Sequence, residues 1–366
     1  MGAVFFLCVV GAFCERPRAT AGSPYGTGGS ICKNGAALFT FGEIYDIITL
    51  VRYLIDKLEF DEEVVYIMAY VNICGKRIYY EEYGIGNNPT LLYLHGGPGE
   101  SCLTYTYQAQ MLGEHFHIIS FDQYGVFRSD SIPKEQKTDV NYHVNMIEQM
   151  RVALNIKTWI PLGHSFGGML ALLYAHNYPD RIDAVIYDCP LWSALHTARA
   201  IAEATLPYFE QNNVMEQIEL VSKIFEKDIC PQDAFDRAMS IEWDEKLEDY
   251  CHVIELSRYR DYKNKYIPVP QVSNDCWEKH ITFRNKIFKS EDFYFNYLPF
   301  LADIRKPQLL IVGEYDITCG KFEQEWFNKY APNGTTNVLA NSAHLSWFEH
   351  PEKYTNLVKN FVLSCN

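Results

Sequence analysis

Between residues 64 and 190, short apolar runs alternate with segments of helical periodicity, and this alternation restricts the fold more than any other feature of the chain. The apolar runs include TLLYL, HIISF and IDAVIYD, and helices are predicted over 141–154 and directly after residue 165. Strands that alternate with helices build a mostly parallel sheet covered by helices on both faces. The sequence therefore predicts the α/β fold class.

The alternation stops at about residue 191. The segment 191–300, called the inserted block below, is helical in pattern, acidic and rich in aromatic residues, without a clear apolar strand. Strand and helix patterns then resume with KPQLLIVGEYD, a helix near 320–330, the strand TTNVLA and a helix over 351–363. We expect a core in two parts, 64–190 and 301–366, with the inserted block as a helical cap between them.

The first 63 residues differ from the rest. Residues 3–14 form an apolar stretch that is too short to span a bilayer comfortably, and Ala19-Thr20-Ala21 resembles a signal-peptide cleavage site. Residues 1–21 therefore predict a signal peptide or a membrane tether, with an intracellular protein as the open alternative. Residues 22–63 predict a flexible linker followed by an amphipathic helix over 41–59.

The charge balance limits the partners of the chain. It carries 46 acidic and 32 basic residues, a formal net charge of -14, which disfavours nucleic acid and anionic membranes. Its 11 cysteines form no CxxC pair and no Cys/His cluster with zinc spacing. We expect a small-molecule or short-peptide partner, no nucleic acid, no metal and no cofactor, with membrane contact only if residues 1–21 are retained.

The segment GHSFGG, residues 163–168, lies between a predicted strand and a predicted helix. It contains G-x-S-x-G, a pattern in which a sharp turn lifts a serine hydroxyl above the carboxyl edge of the sheet. Glycines flank the serine because the turn needs close packing of helix against strand. A phosphate-binding loop is excluded because no Gly-Lys-Ser/Thr follows. Ser165 is therefore the predicted nucleophile.

A serine nucleophile needs a base, and that base needs an acid to orient it. His344 lies in a loop between a short strand and the last helix, a position that favours it over the nearby His350. Asp316 follows the strand LLIVG, and the chain order of serine, aspartate and histidine is one used by hydrolases. Asp188, at the end of IDAVIYD, is the rival acid.

Two more elements complete the predicted site. The oxyanion of an acyl-transfer intermediate needs two donors, which we expect to be the backbone N–H groups of Phe166 and Gly97, with Gly96 as the alternative to Gly97. Gly97 lies in HGGPG, residues 95–99, after the strand TLLYL. Glu314 is expected to have a structural role in the turn that carries Asp316.

With these motifs the chain resembles the proline iminopeptidase (prolyl aminopeptidase) family of α/β hydrolases over residues 65–365. The resemblance rests on HGGPG, on FDQYG followed by Ser129-Asp130, on GHSFGG, on GEYD and on the late Ala-His pair. It implies the α/β-hydrolase fold with a helical cap over the active site, and release of an N-terminal residue, often proline, from short peptides. The family's catalytic serine, aspartate and histidine correspond to Ser165, Asp316 and His344.

The chain departs from the family pattern at three positions. Tyr124 stands where the family usually has arginine after FDQ. Two glutamates of one branch bind the free amine of the substrate, and their positions are occupied by Ile317 and Asn285. A terminal ammonium needs a carboxylate partner in a dry site, and Glu203, Glu210 and Glu255 of the inserted block are candidates that the sequence does not separate.

Three hypotheses follow. The first is an aminopeptidase that works through an acyl-enzyme. The second keeps the chemistry and replaces the substrate with a neutral ester or amide, in agreement with the missing glutamates. The third is a ligand-binding protein on a hydrolase fold that has lost its activity, against which the complete set of motifs argues.

Overall fold

The computed structural model describes residues 7–8, 66–252 and 274–365. The chain divides into two units, Met1–Glu63 and Val64–Asn366. In the first unit the described residues are a two-residue strand, Leu7–Cys8. Apart from these two residues, the predicted signal peptide or tether lies outside the described residues, as do the linker, the helix over 41–59 and the candidate Glu255. Among the helices of the described ranges, none has the length and apolar character needed to cross a membrane.

The second unit is built on a twisted sheet of eight strands. Their order across the sheet is β1-β2-β4-β3-β5-β6-β7-β8. β2 pairs antiparallel with β1 and with β4, and every other neighbouring pair is parallel. The strands are β1 Tyr66–Ile73, β2 Lys76–Tyr83, β3 Thr90–Leu94, β4 His117–Phe121, β5 Ile160–His164, β6 Val185–Asp188, β7 Gln308–Gly313 and β8 Gly334–Leu339.

Helices connect the parallel strands and cover the sheet. They are α1 Thr106–Gly113, α2 Val140–Ala153, α3 Phe166–Asn177, α4 Ala194–Gln211, α5 Met215–Ser222, α6 Pro231–Met239, α7 Glu245–Tyr250, α8 Asn274–Ile287, α9 Lys321–Tyr330, α10 Ser346–Glu349 and α11 Pro351–Ser364. Short 3₁₀ helices occupy Cys102–Tyr105, Pro179–Arg181, Lys223–Phe225, Glu291–Tyr294 and Leu298–Asp303.

The core lies on both faces of the central strands. All residues of β3, β5, β6 and β7 are buried, which explains why these strands are continuous apolar runs without polar alternation. α3 is also buried on nearly all sides because it packs against β5, β6 and α2. The predicted α/β class with a mostly parallel sheet and helices on both faces is confirmed.

The inserted block contains helices α4 to α8 and has an apolar core of its own. This core is formed by eleven buried residues of α4, α5, α6, α7 and the connections between them, from Ala198 to Cys251. Ile317, from the turn after β7, packs against the same cluster. The block is therefore joined to the sheet through apolar contacts beside the carboxyl end of β7.

Candidate active site

Ser165 occupies the turn between β5 and α3 with a backbone that non-glycine residues rarely adopt. Its φ is 53° and its ψ is -118°. Ser165 N donates to the carbonyl of Asp188 at 3.0 Å, and Ser165 O accepts from Gly168 N at 2.8 Å and from Leu191 N at 3.0 Å. These bonds to β6 and to the following loop hold the serine in a strained conformation, as expected where a side chain is presented for reaction.

Close packing around Ser165 leaves no room for a Cβ at the neighbouring glycines. A Cβ on Gly163 would overlap the carbonyl of Gly167, and a Cβ on Gly167 would overlap the carbonyl of Leu94 at the end of β3. A Cβ on Gly96 would lie 3.0 Å from Cβ of Ser165. The helix, the strand and the HGGPG loop therefore meet at van der Waals contact around the serine.

His344 and Asp316 form a hydrogen-bonded pair. Nδ1 of His344 lies 2.8 Å from Oδ1 of Asp316. Asp316 is buried and also accepts from the backbone N–H groups of Thr318, at 3.1 Å, and Cys319, at 3.0 Å. Burial opposes ionisation of Asp316, but His344 and the three hydrogen bonds outweigh it and hold the pKa of the carboxyl below its usual range. This aspartate is therefore ionised at neutral pH.

The pair stabilises the protonated form of His344. Burial alone would lower the pKa of the imidazole, but Asp316 raises it more strongly, with further contributions from the charges of Asp188 and Glu100, so that its pKa lies above the ordinary value. The ring of His164, the residue before Ser165, lies with its centroid 4.8 Å from that of His344. The histidine thus lies beside the turn that carries the serine.

The loop that carries His344 is held by two carboxylates. Glu314 accepts from Asn341 N at 2.8 Å, and Glu349 accepts from Ser342 Oγ and Ala343 N at 2.8 and 2.6 Å. His350, the alternative base, contacts the carbonyl of Asn341 through its ring at 3.1 Å. Asp316 is thus paired with His344 and not with His350.

Asp188, the rival acid, belongs to a second buried cluster. Its Oδ2 lies 2.9 Å from Nδ1 of His164, and its Oδ1 accepts from Ser346 Oγ at 2.7 Å. Both carboxylate oxygens are therefore satisfied by groups other than His344. Sequence reasoning missed this His164–Asp188–Ser346 cluster, in which Asp188 and Ser346 lie 158 residues apart in the chain.

HGGPG and FDQ are locked together by hydrogen bonds. Gln123 N donates to Nε2 of His95 at 3.1 Å, and the amide group of Gln123 donates to the carbonyl of His95 at 3.0 Å. Asp122 accepts from Ser101 Oγ and Cys102 N just after the loop, at 2.6 and 3.1 Å. These contacts explain why the two motifs occur in one chain: FDQ fixes both ends of the glycine-rich loop.

Arg128 completes this support from within the core. It forms ion pairs with Asp122 at 2.7 Å and with Glu81 at 2.8 Å, and its side chain is only 7% exposed. Tyr124, the residue that follows FDQ, is buried and donates to Oε1 of Gln136 at 3.2 Å. Arg128 is a charge that the sequence analysis did not single out.

The two expected oxyanion donors belong to the start of α3 and to the HGGPG loop. The N–H of Phe166 is the first in α3, and the first N–H groups of a helix have no acceptor within it. Gly97 has a φ of +112°, and a Cβ there would lie 2.6 Å from Gly99 N, so only glycine fits the bend of the loop. Gly96 faces Cβ of Ser165, as described above.

The inserted block covers this loop. A Cβ on Gly99 would lie 2.8 Å from the carbonyl of His280 in α8, and the ring centroids of Phe166 and Phe283 are 6.4 Å apart. A cavity of about 360 Å³ also opens between α4 and the turn after β7, with Glu203, Tyr250, His252 and Asp316 in its lining. Glu203 and Glu210 are both exposed on α4, and only Glu203 lines this cavity.

Within the described ranges, three side chains lie close enough to hold a metal ion. Cys189, Asp316 and His344 each offer one ligand atom within 4.8 Å of the others. Asp316 already accepts three hydrogen bonds, which an ion would have to displace. The arrangement therefore fits a histidine oriented by a carboxylate better than a metal centre.

Comparison with known proteins agrees with the fold. A sequence profile described as the alpha/beta hydrolase fold matches residues 89–229. The chain is 24% identical over 317 residues to the proline iminopeptidase of Heyndrickxia coagulans, covering 82% of this chain and 99% of the relative. It is also 24% identical over 330 residues to the proline iminopeptidase of Saccharolobus solfataricus, covering 87% of this chain and 96% of the relative.

Among solved structures, the chain is similar to a proline iminopeptidase-related protein from Thermus thermophilus. The TM-score is 0.61 at 23% sequence identity, and the match covers 82% of this chain and 98% of the other. The resemblance drawn from the sequence motifs and the α/β-hydrolase fold that it implies are both confirmed.

Proposed function

Because this chain has the α/β-hydrolase fold and is similar to proline iminopeptidases over most of its length, we propose that it is a serine aminopeptidase acting on short peptides. The observation that carries the proposal is the pairing of His344 with Asp316 beside the strained turn of Ser165. The favoured substrate has an N-terminal proline, which is the residue that the names of the relatives point to.

The proposed reaction proceeds through an acyl-enzyme. Ser165 Oγ attacks the carbonyl carbon of the first residue, while Nε2 of His344 accepts the hydroxyl proton, since Nδ1 is engaged by Asp316. The N–H groups of Gly97 and Phe166 stabilise the oxyanion. His344 then gives its proton to the leaving amine, and the peptide bond breaks.

Water completes the cycle. It attacks the acyl-enzyme while His344 again accepts a proton, and the collapse of the second tetrahedral intermediate releases the amino acid and restores the Ser165 hydroxyl. Asp316 stays ionised and orients His344 throughout. The scheme needs no cofactor, since the serine, the histidine and water account for all bonds formed and broken.

One experiment separates this proposal from its nearest alternative. Hydrolysis of L-proline 2-naphthylamide is compared with that of its N-acetylated form and of p-nitrophenyl butyrate, with Ser165→Ala as the control. An aminopeptidase hydrolyses the free-amine substrate much faster than the acetylated one, and the variant abolishes this turnover. Equal turnover of both naphthylamides would contradict recognition of a free amine.

A specific observation favours an esterase or amidase as the second candidate. Ile317, at a position where some relatives carry glutamate, packs against the apolar core of the inserted block and lines the cavity that reaches Asp316. Ile317 adds an apolar side chain to a lining that also includes Glu203 and Glu314, and this apolar contact suits a neutral acyl group better than an ammonium. Turnover of p-nitrophenyl butyrate without turnover of L-proline 2-naphthylamide would establish this alternative.

A further inference from the structure

Glu100 follows HGGPG directly and lies between the serine turn and the inserted block. Its N–H donates to the carbonyl of Gly96 at 3.2 Å, and Gly96 in turn faces Cβ of Ser165. The residue on its other side, Gly99, lies against the backbone of His280 in α8. Glu100 is thus attached to the loop that carries the expected oxyanion donor.

The carboxylate of Glu100 has an unsatisfied oxygen. Oε2 is buried and has no hydrogen-bond partner among the described residues. A buried charged oxygen without a donor is costly, since removing it from water loses strong hydrogen bonds that nothing replaces. A ligand that brings a positively charged donor would remove this cost.

Glu100 also lies within electrostatic reach of the proposed base. Three carboxylates raise the pKa of His344 against the effect of burial: Asp316, Asp188 and Glu100. Asp316 is engaged by His344 itself, and Asp188 is engaged by His164 and Ser346. Of the three, Glu100 is the one whose oxygen is left for a substrate.

We propose that Glu100 binds the protonated α-amine of the substrate and so selects peptides with a free N-terminus. This inference rests on the aminopeptidase function proposed above. It supplies a carboxylate for the amine where the two positions matched to the glutamates of one family branch do not, since Ile317 packs into an apolar cluster and Asn285 is exposed on α8.

The two candidates of the inserted block that lie within the described residues fit this role less well. Glu203 and Glu210 are exposed, so that water already satisfies their oxygens and a substrate gains little by replacing it. Glu203 does line the 360 Å³ cavity beside Asp316, which makes it the rival that an experiment must test.

The test uses Glu100→Gln, which keeps the shape of the side chain and removes its charge. Glu203→Gln tests the rival, and Glu226→Gln, at an exposed site of the inserted block, is the matched control. We expect Glu100→Gln to lower kcat/KM for L-proline 2-naphthylamide by about 10- to 100-fold, the loss of one charge-assisted hydrogen bond, mainly through KM. Turnover of p-nitrophenyl butyrate should change less than about twofold, because a neutral ester brings no charge to this subsite.

A second readout does not depend on peptide turnover. L-Prolinamide should inhibit ester hydrolysis competitively in the wild type, and Glu100→Gln should weaken this inhibition by the same factor. Equal losses with ester and naphthylamide would show a structural role for Glu100 and overturn the inference. If only Glu203→Gln lowers kcat/KM for L-proline 2-naphthylamide, the amine binds in the cavity lined by Glu203 and the inference on Glu100 is wrong.

The two proposals fail in different ways. If the wild type hydrolyses the free-amine substrate and Glu100→Gln leaves kcat/KM and the inhibition unchanged, the inference on Glu100 is wrong and the aminopeptidase function remains. If the wild type hydrolyses the ester but neither hydrolyses L-proline 2-naphthylamide nor binds L-prolinamide, both proposals are wrong.

Discussion

Replacing Asp316 with asparagine tests the proposed site at its central contact. Oδ1 accepts from His344 and from Thr318 N, whereas Oδ2 accepts from Cys319 N alone. The single oxygen of asparagine is therefore expected to take the position of Oδ1, where two donors face it. The orientation of His344 is then retained, and the main loss is the negative charge beside it.

The size of the effect follows from the geometry. The hydrogen-bonded atoms are 2.8 Å apart, which puts the charge centres of the carboxylate and an imidazolium somewhat further from each other. Two charges about 4 Å apart interact by about 4 kcal/mol at an effective dielectric constant of about 20. Because this interaction exists only when His344 carries the proton, its loss should lower kcat by on the order of 10³-fold.

Asp188→Asn is the matched comparison, since Asp188 lies on the neighbouring strand and is bonded to His164 and Ser346. One of these two donors loses its charged acceptor, which should cost about 1.5–3 kcal/mol of unfolding free energy. We expect its kcat to fall by less than about tenfold, since the contact of His344 with Asp316 is unchanged.

The assay measures kcat for the substrate that the wild type hydrolyses best, together with urea denaturation of each variant. Ser165→Ala provides the background rate. If Asp188→Asn lowers kcat as much as Asp316→Asn while both variants stay folded, Asp316 is not the residue that supports His344. If Asp316→Asn retains more than about a tenth of wild-type kcat, the electrostatic argument is wrong.

Three further predictions concern the pH dependence of activity, the close packing at Gly167 and the buried ion pairs of Arg128. The pKa of His344 is raised, and only the neutral form of this histidine accepts a proton. As the pH is lowered, kcat/KM should therefore fall with a midpoint above the ordinary histidine pKa of about 6.5. A midpoint below that value would contradict the prediction. Gly167→Ala, which overlaps a carbonyl of the core, should abolish labelling by a fluorophosphonate. Gly75→Ala strains the turn between β1 and β2, where φ is +79°, but its Cβ meets nothing within 4 Å, so this variant should still label. Arg128→Met removes the ion-pair partner of two buried carboxylates and should lower the unfolding free energy by about 3–5 kcal/mol. Lys223→Met breaks an exposed ion pair and should leave the urea denaturation curve unchanged. A similar loss of unfolding free energy in both variants would refute the role of burial.

Local pattern predicted most of the elements of the second unit. The strands at 90–94 and 160–164 are apolar runs because both of their faces are buried, and this property is visible in the sequence. α1, over Thr106–Gly113, was not predicted. Its buried Gln108 donates to the carbonyl of Trp347 at 2.7 Å, a contact between residues 239 positions apart. Because this distant carbonyl satisfies a polar residue on the inner face of the helix, the helix lacks the apolar pattern that would predict it.

The residues of the candidate site also fall into some that the local sequence predicts and others that it does not. Ser165 and Asp316 could be selected because each follows an apolar strand, and His344 because it follows the last strand, and the carboxyl ends of parallel strands meet at one edge of the sheet. The unsatisfied oxygen of Glu100 and the burial of Arg128 carry no signal in the sequence, since both depend on which segments pack around them.

The sequence by itself determined most of the alternating strands and helices, the turn that needs its glycines and the three residues proposed for catalysis. These follow from the chemistry of short segments and from the rule that parallel strands share an edge. Only the tertiary structure decided which carboxylate pairs with which histidine. Asp188 ends β6 and Asp316 lies in the turn after β7. The register of β5 against β6 places Asp188 opposite His164, whereas the loop after β8 brings His344 to Asp316.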